Sequence, residues 1–226
     1  MDIEQHLEKK AEQLPSPSAG KQWRNTFLLS IVIFSLGSIY LSLRRWDYDL
    51  YIANKVFATT ALVLIGLSLA LSGLCYFWDF ADDKILYRKY LGLTGFAFAV
   101  IHVVTSVFLL PDHFPYPEWF FDNMLSVFLG GTALLLLSFL ALISNRTAMT
   151  MLGSKYWRLL LRLGYLAFIL IIAHLAILKY PGWIRWMKNF DPILPPLSLL
   201  EFIFALLVIT LRIAVWIDLK AGTNQE

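Results

Sequence analysis

Six apolar runs, at roughly 26–43, 56–78, 90–110, 123–144, 158–179 and 197–217, dominate this sequence. A helix needs about 20 residues to cross the hydrocarbon core of a bilayer, and each run approaches or exceeds that length. Inside lipid the backbone finds no water, so a spanning segment of this kind must satisfy its own N–H and C=O groups as a helix. The expected fold is therefore an all-α integral membrane protein, a six-transmembrane-helix bundle with short polar connections. Composition agrees: 58% of the 226 residues are hydrophobic and 15% are charged, unlike a soluble domain, and the mean hydropathy is +0.65.

Residues 1–25 read as an N-terminal segment outside the bundle. Ile3 to Leu14 alternate apolar and charged residues at helical spacing, a short amphipathic helix, and Pro15-Ser16-Pro17-Ser18-Ala19-Gly20 breaks it into a linker. Residues 26–217 make the six-helix domain and 218–226 a tail. No cleavable leader is expected, because a long polar stretch precedes the first apolar run. Orientation follows the basic residues near helix ends. Lys9, Lys10, Lys21, Arg24, Lys84, Arg88, Lys89, Arg146, Lys155, Arg158 and Lys220 put eleven on one side, against six on the other: Arg44, Arg45, Lys55, Lys179, Arg185 and Lys188. Both termini are thus expected in the cytoplasm, and the chain in the cell membrane (the inner membrane of a Gram-negative cell) as a multi-pass protein.

Several function classes are excluded. The net charge of +3 is spread over loops without forming a basic stripe, so no nucleic-acid partner is expected. There is no GxGxxG after a strand, no HExxH, no Ser/His/Asp set, and no soluble stretch large enough for a nucleotide-binding domain. The lone cysteine, Cys75, lies in an apolar run and reads as a small buried hydrophobe.

Of the four histidines, only His102 and His174 lie inside expected spans. An ionisable side chain at membrane depth demands a partner or a function, and neutral imidazole is an axial ligand for haem iron as well as an interhelical hydrogen bonder. The third and fifth helices run in the same direction. At 1.5 Å per residue His102 stands ~20 Å beyond Lys89 and His174 ~24 Å beyond Arg158, so the two imidazoles share a depth in the outer half of the bilayer. Gly95, Ala99 and Ser106 share the His102 face, where small residues leave room for a flat macrocycle or permit close helix packing.

The segment Leu86-Tyr87-Arg88-Lys89-Tyr90-Leu91-Gly92-Leu93, followed by His102, resembles the third helix of the ferric reductase-like transmembrane domain family. Ser144-Asn145-Arg146, Met149, Leu152-Gly153, Trp157, Arg162-Leu163, Tyr165 and His174 are similar to the fourth loop and fifth helix of the haem-binding membrane subunits of bacterial methionine sulfoxide reductase systems. The resemblance covers roughly residues 55–180. It implies a six-helix domain that binds b-type haem (haem b) and passes electrons across the membrane to an outer acceptor. Single-haem metalloreductases of this group use one histidine on helix three and one on helix five, the positions of His102 and His174. The bacterial pattern also has a histidine where this chain has Leu161, thirteen residues before His174. The resemblance therefore implies one haem rather than two stacked ones.

An outer haem alone lies ~20 Å from the cytoplasmic face. Electron supply then requires a flavin (FAD or FMN) that reaches into the bundle, a quinone docked as quinol within the membrane, or an unusual second ligand such as Met149 or Met151. Arg88, Arg158 and Arg162 are candidates to contact a flavin or a donor flavoprotein. Arg44 and Arg45, after helix one, and Arg185, after helix five, are candidate partners for haem propionates. The loop Pro111 to Glu118, with Asp122, is acidic and carries His113, a candidate ligand for an outer ferric or cupric substrate.

These features point to a transmembrane electron carrier with an oxidoreductase partner or a metal ion as outer acceptor, and either a ferric reductase-like oxidoreductase or the electron-transfer subunit of one. The competing expectation, kept alive by Leu161, is a haem-free scaffold or transport subunit on the same fold.

Overall fold

The computed structural model describes residues 17–223, so the Ile3–Leu14 segment lies outside the described residues. Six helices are long and apolar enough to cross a membrane, and no strand occurs among the described residues. They are α1 (Ala19–Arg45), α2 (Leu50–Phe77), α3 (Arg88–Val104), α4 (Met124–Ile143), α5 (Leu163–Asn189) and α6 (Leu197–Thr223). A 3-10 helix, Asp79–Tyr87, leads into α3, and a π-helical turn, Thr105–Leu109, extends it. Short helices Glu118–Asp122, Arg146–Leu152 and Ser154–Leu161 fill the connections.

Several boundaries differ from the sequence reading: α2 begins at Leu50, before the expected 56, α6 continues to Thr223 into the expected tail, and two further cases have a visible cause. α1 begins at Ala19, inside the expected linker, because Ser18 caps it: the Lys21 N–H donates to Ser18 Oγ at 3.4 Å, which satisfies one of the orphan donors of the first turn. α5 does not stop near Lys179 but runs through Pro181 to Asn189. A proline inside a helix sacrifices one backbone bond, and here apolar and aromatic contacts compensate. Trp183 is buried and donates Nε1–H to Ser198 Oγ at 2.9 Å, and Trp186 donates to the Pro192 carbonyl at 2.8 Å. Phe190, in the left-handed region at φ 50°, then ends the helix.

α2 is the central post. In its most apolar window 78% of residues are buried, against 22% in each of the other spans; α1, α3, α5 and α6 pack around it, and α4 bridges α3 and α5. The core, including Leu62, Ile65, Leu69, Leu137, Phe168 and Val208, lies where these helices meet. Lipid supplies no hydrophobic drive for helices to associate, so close backbone approach through small residues does much of the packing. Gly66 faces the rings of Phe204 and Phe168, Gly73 faces Leu211, and Gly95 sits against the backbone of Ala61 and Ile65. The outward faces remain apolar, as at Phe27, Ile31, Leu36 and Ile39 of α1, which suits contact with acyl chains.

Both described ends of the chain emerge at one end of the bundle, the terminal end. There Asn25 Nδ2 donates to the Tyr87 hydroxyl at 3.0 Å and the Tyr76 hydroxyl donates to Asp218 at 2.7 Å. At the opposite end the Tyr40 hydroxyl donates to the Pro195 carbonyl at 2.8 Å and Arg44 Nε to the Leu194 carbonyl at 3.1 Å, tying α1 to the connection before α6.

A side chain at Gly95 would bring its Cβ to 2.8 Å from Ile65 Cγ1 and 3.1 Å from two backbone atoms of α2, whereas one at Gly131 would meet nothing within 4 Å. Thermal unfolding in detergent is expected to show Gly95→Val destabilised by ~2 kcal/mol through overpacking, with Gly131→Val close to wild type. Equal melting of the two variants would contradict this packing.

Candidate functional site

An imidazole in the apolar region keeps one ring N–H and one lone pair in its neutral form, and each must be satisfied or put to use. His102 lies near the C-terminal end of α3, and its Nδ1 is 3.1 Å from the Asn54 carbonyl and 2.9 Å from Asn54 Oδ1 on α2. A carbonyl only accepts, so Nδ1 carries the proton. Asn54 is itself buried and held, because its Nδ2 donates to Ser106 Oγ at 2.8 Å, while Ser106 donates to the His102 carbonyl at 2.9 Å. The π-helical turn begins just beyond, and such turns commonly occur where a helix is shaped around a site.

His174 on α5 is held the same way by α4. Its Nδ1 is 2.8 Å from the Ser126 carbonyl and 2.9 Å from Ser126 Oγ. Gly130, one turn on, makes this approach feasible, since a Cβ there would lie 2.9 Å from His174 Nδ1. In both pairs the partner precedes the histidine by 48 residues, so the α2–α3 and α4–α5 hairpins repeat one arrangement.

Two consequences follow. Both rings have the tautomer with the proton on Nδ1, and neither Nε2 has a hydrogen-bond partner among the described residues. This is how metal-binding histidines are oriented, with a backbone carbonyl on one nitrogen and a free lone pair on the other. The partners Asn54 and Ser126 stand within the first two turns of α2 and α4, so both histidines sit at the end of the bundle opposite the described chain ends, within charge–charge range of one another. The donor set, two neutral imidazoles with free Nε2 atoms, fits the axial demands of a haem iron. Of the small residues on the His102 face, read as room for a macrocycle or as close packing, Gly95 packs on α2 and Ser106 accepts a bond from Asn54.

The other sequence candidates separate into groups. Arg44 and Arg45 end α1 at the histidine end, where Arg45 lies in charge range of Lys55 and Lys179; Arg185 is exposed further along α5. His113 is exposed and stacks on Tyr51 with ring centroids 4.2 Å apart. No group of three His, Cys, Asp or Glu side chains that could hold a metal ion occurs among the described residues.

At the terminal end a cavity of 320 Å³ opens between α2, α3, α4 and the start of α5. Arg88, Lys89 and Arg158 line it, as do Leu161, Trp157 and Phe96. The basic residues named as donor contacts are thus brought to one place, with Arg162 one turn beyond Arg158. Met151 is exposed, and neither it nor Met149 lines the cavity. Leu161 contributes an apolar wall where the resembling family has an imidazole.

Sequence reasoning missed Asn54, Ser126 and Gly130 as parts of the site. Asn54 falls just outside the expected second apolar run, and a serine or glycine inside an apolar run carries no signal of its own. The shared 48-residue spacing is the one pattern that links Asn54 and Ser126 to the histidines.

No family model matches the chain. Over 119 residues it is 34% identical to the protein-methionine-sulfoxide reductase heme-binding subunit MsrQ of Azospira oryzae. The match takes in 50% of this chain and 46% of the relative, so the chain spans about half the length of the curated relative it matches.

Asn54→Leu removes the side-chain bonds to both His102 and Ser106, whereas Ser126→Ala leaves the carbonyl bond to His174 in place. Denaturation in detergent is expected to cost Asn54→Leu ~2 kcal/mol and Ser126→Ala under ~1 kcal/mol. The reverse order would contradict the assignment of these bonds.

Proposed function

We propose that this chain is a multi-pass membrane electron-transfer protein that binds one haem b through His102 and His174 and serves a separate oxidoreductase or reduces an outer acceptor. The observation that carries the reading is the matched pair of imidazoles, each with Nδ1–H held by a carbonyl of the adjoining helix and Nε2 free. Similarity to a heme-binding subunit over half the chain supports it. When bound, the haem supplies a one-electron carrier. The protein's part is to fix two imidazoles at one depth and to keep water from them with the surrounding helices.

The sequence count of basic residues near helix ends, eleven against six, supports by the positive-inside rule an orientation with both termini in the cytoplasm and the histidine pair in the outer half of the cell membrane. An outer oxidoreductase, or a ferric or cupric ion near His113, is then the acceptor. The donor meets the 320 Å³ cavity on the cytoplasmic side. A flavin or a quinol suits it, because the walls are apolar while Arg88, Lys89 and Arg158 attract an anionic or hydrogen-bonding head. The position shortens the electron path: Phe96 on the cavity wall is ~9 Å along α3 from His102, and Gly164 is ~15 Å along α5 from His174.

Pyridine haemochrome analysis of protein made with ample haem is expected to give one haem b per chain, with the bound visible spectrum lost in both His102→Ala and His174→Ala. Two haems would contradict the reading of Leu161, and no haem would favour the scaffold reading. Filling the cavity with Gly92→Trp is expected to leave the spectrum intact but slow reduction by a flavin or quinol donor by about tenfold, which corresponds to ~1.4 kcal/mol. An unchanged rate would remove the donor from this cavity.

A further inference from the structure

Around the histidine end four cations converge: Arg44 and Arg45 from the last turn of α1, Lys55 from α2 and Lys179 from α5. Arg45, Lys55 and Lys179 lie in mutual charge range, and Arg44 reaches Lys55 as well. None of the four has a carboxylate within salt-bridge distance among the described residues. Two of them contact neutral groups: Arg44 Nε donates to the Leu194 carbonyl at 3.1 Å, and Lys55 Nζ lies 3.6 Å above the Tyr51 ring. Two carboxylates lie in charge range: Asp49, the N-cap of α2 that accepts the Ile52 N–H at 2.7 Å, faces Lys55, and buried Glu201, bonded to Thr59 Oγ1 at 2.5 Å, faces Lys179, so four cations meet two anions and the cluster keeps an excess of positive charge.

Like charges drawn together at the edge of a low-dielectric region repel one another. Their convergence is favourable when an anion sits among them. Lys179 is the member best placed to orient that anion toward the histidines, since it lies in charge range of both His102 and His174 and stands five residues beyond His174 on α5. An anionic group on whatever the imidazoles hold would meet this excess positive charge.

We infer that Lys179, supported by Lys55 and Arg45, is the carboxylate-binding pole of the site and takes the propionates of the haem. This rests on the haem reading above. It assigns propionate binding chiefly to a lysine inside α5 and leaves exposed Arg185 outside the site. Arg44, tied to the Leu194 carbonyl, contributes charge at longer range. A carboxylate accepting ammonium and guanidinium hydrogen bonds would be held by charge-assisted bonds.

The test compares haem b with its dimethyl ester, which keeps the iron and ring but lacks the carboxylates. Apoprotein in detergent is titrated with each, for wild type, Lys179→Met and Lys179→Arg. Wild type is expected to bind the free acid about tenfold more tightly than the ester, Lys179→Met to lose most of that preference with ester affinity unchanged, and Lys179→Arg to keep it. Preference for the free acid undiminished in Lys179→Met would overturn the inference while leaving the histidine ligation intact, and would be the result if headgroup phosphates are what the cations bind. Failure of both haem forms to give a spectrum that depends on His102 and His174 would overturn the haem reading and this inference together. A Lys179→Arg protein that melts like wild type but behaves like Lys179→Met would also contradict it, because the cation would then be present without the preference.

Discussion

The bonds from backbone carbonyls of α2 and α4 to the Nδ1–H groups of His102 and His174 are the constraint on which the site depends. A ring N–H left without an acceptor in an apolar medium is costly, and each histidine meets that demand from the helix beside it. Because the acceptor is a main-chain group, ring orientation is set by helix packing rather than by a mobile side chain. Close packing is in turn permitted by Gly130 on α4 and by Gly95 on α3. Helix association, tautomer and the direction of the free Nε2 atoms are therefore one structural problem with one solution, used twice.

The bundle divides into two chemically distinct ends. At the histidine end, cations gather around two neutral imidazoles with free lone pairs. At the terminal end, a basic-rimmed cavity enters the bundle from the other side. Between them lies the apolar core around α2, with Phe168 and Leu62 packed among its residues. Under the proposed function the two ends would separate the place that receives an electron from the place that holds it, and α2 spans the distance as a buried post.

Much of this was legible in the sequence, for identifiable reasons. Six spans follow from run length alone, because lipid leaves the backbone no alternative to the helix. His102 and His174 stood out because histidines at membrane depth are rare and need an explanation. The start of α1 at Ala19 was hidden by a Pro-rich run whose Ser18 proved to be a cap, and the continuation of α5 through Pro181 depends on Trp183 and Trp186 finding partners distant in sequence. Asn54 and Ser126 could not be read from their own neighbourhoods, since their role depends on which helices become neighbours. The small residues around His102 illustrate the same limit: a glycine in an apolar run signals close approach, and only packing shows that α2 is what approaches Gly95.

Low-temperature electron paramagnetic resonance of the purified, oxidised protein tests the central claim most directly, because the ferric spin state reports the ligands on both faces of the iron. Two imidazoles held through Nε2 predict a low-spin ferric signal in the wild type and its conversion to high spin, or its disappearance with the haem, when either His102 or His174 is replaced by alanine. A high-spin wild type, or a low-spin signal that survives either substitution, would contradict ligation by this pair.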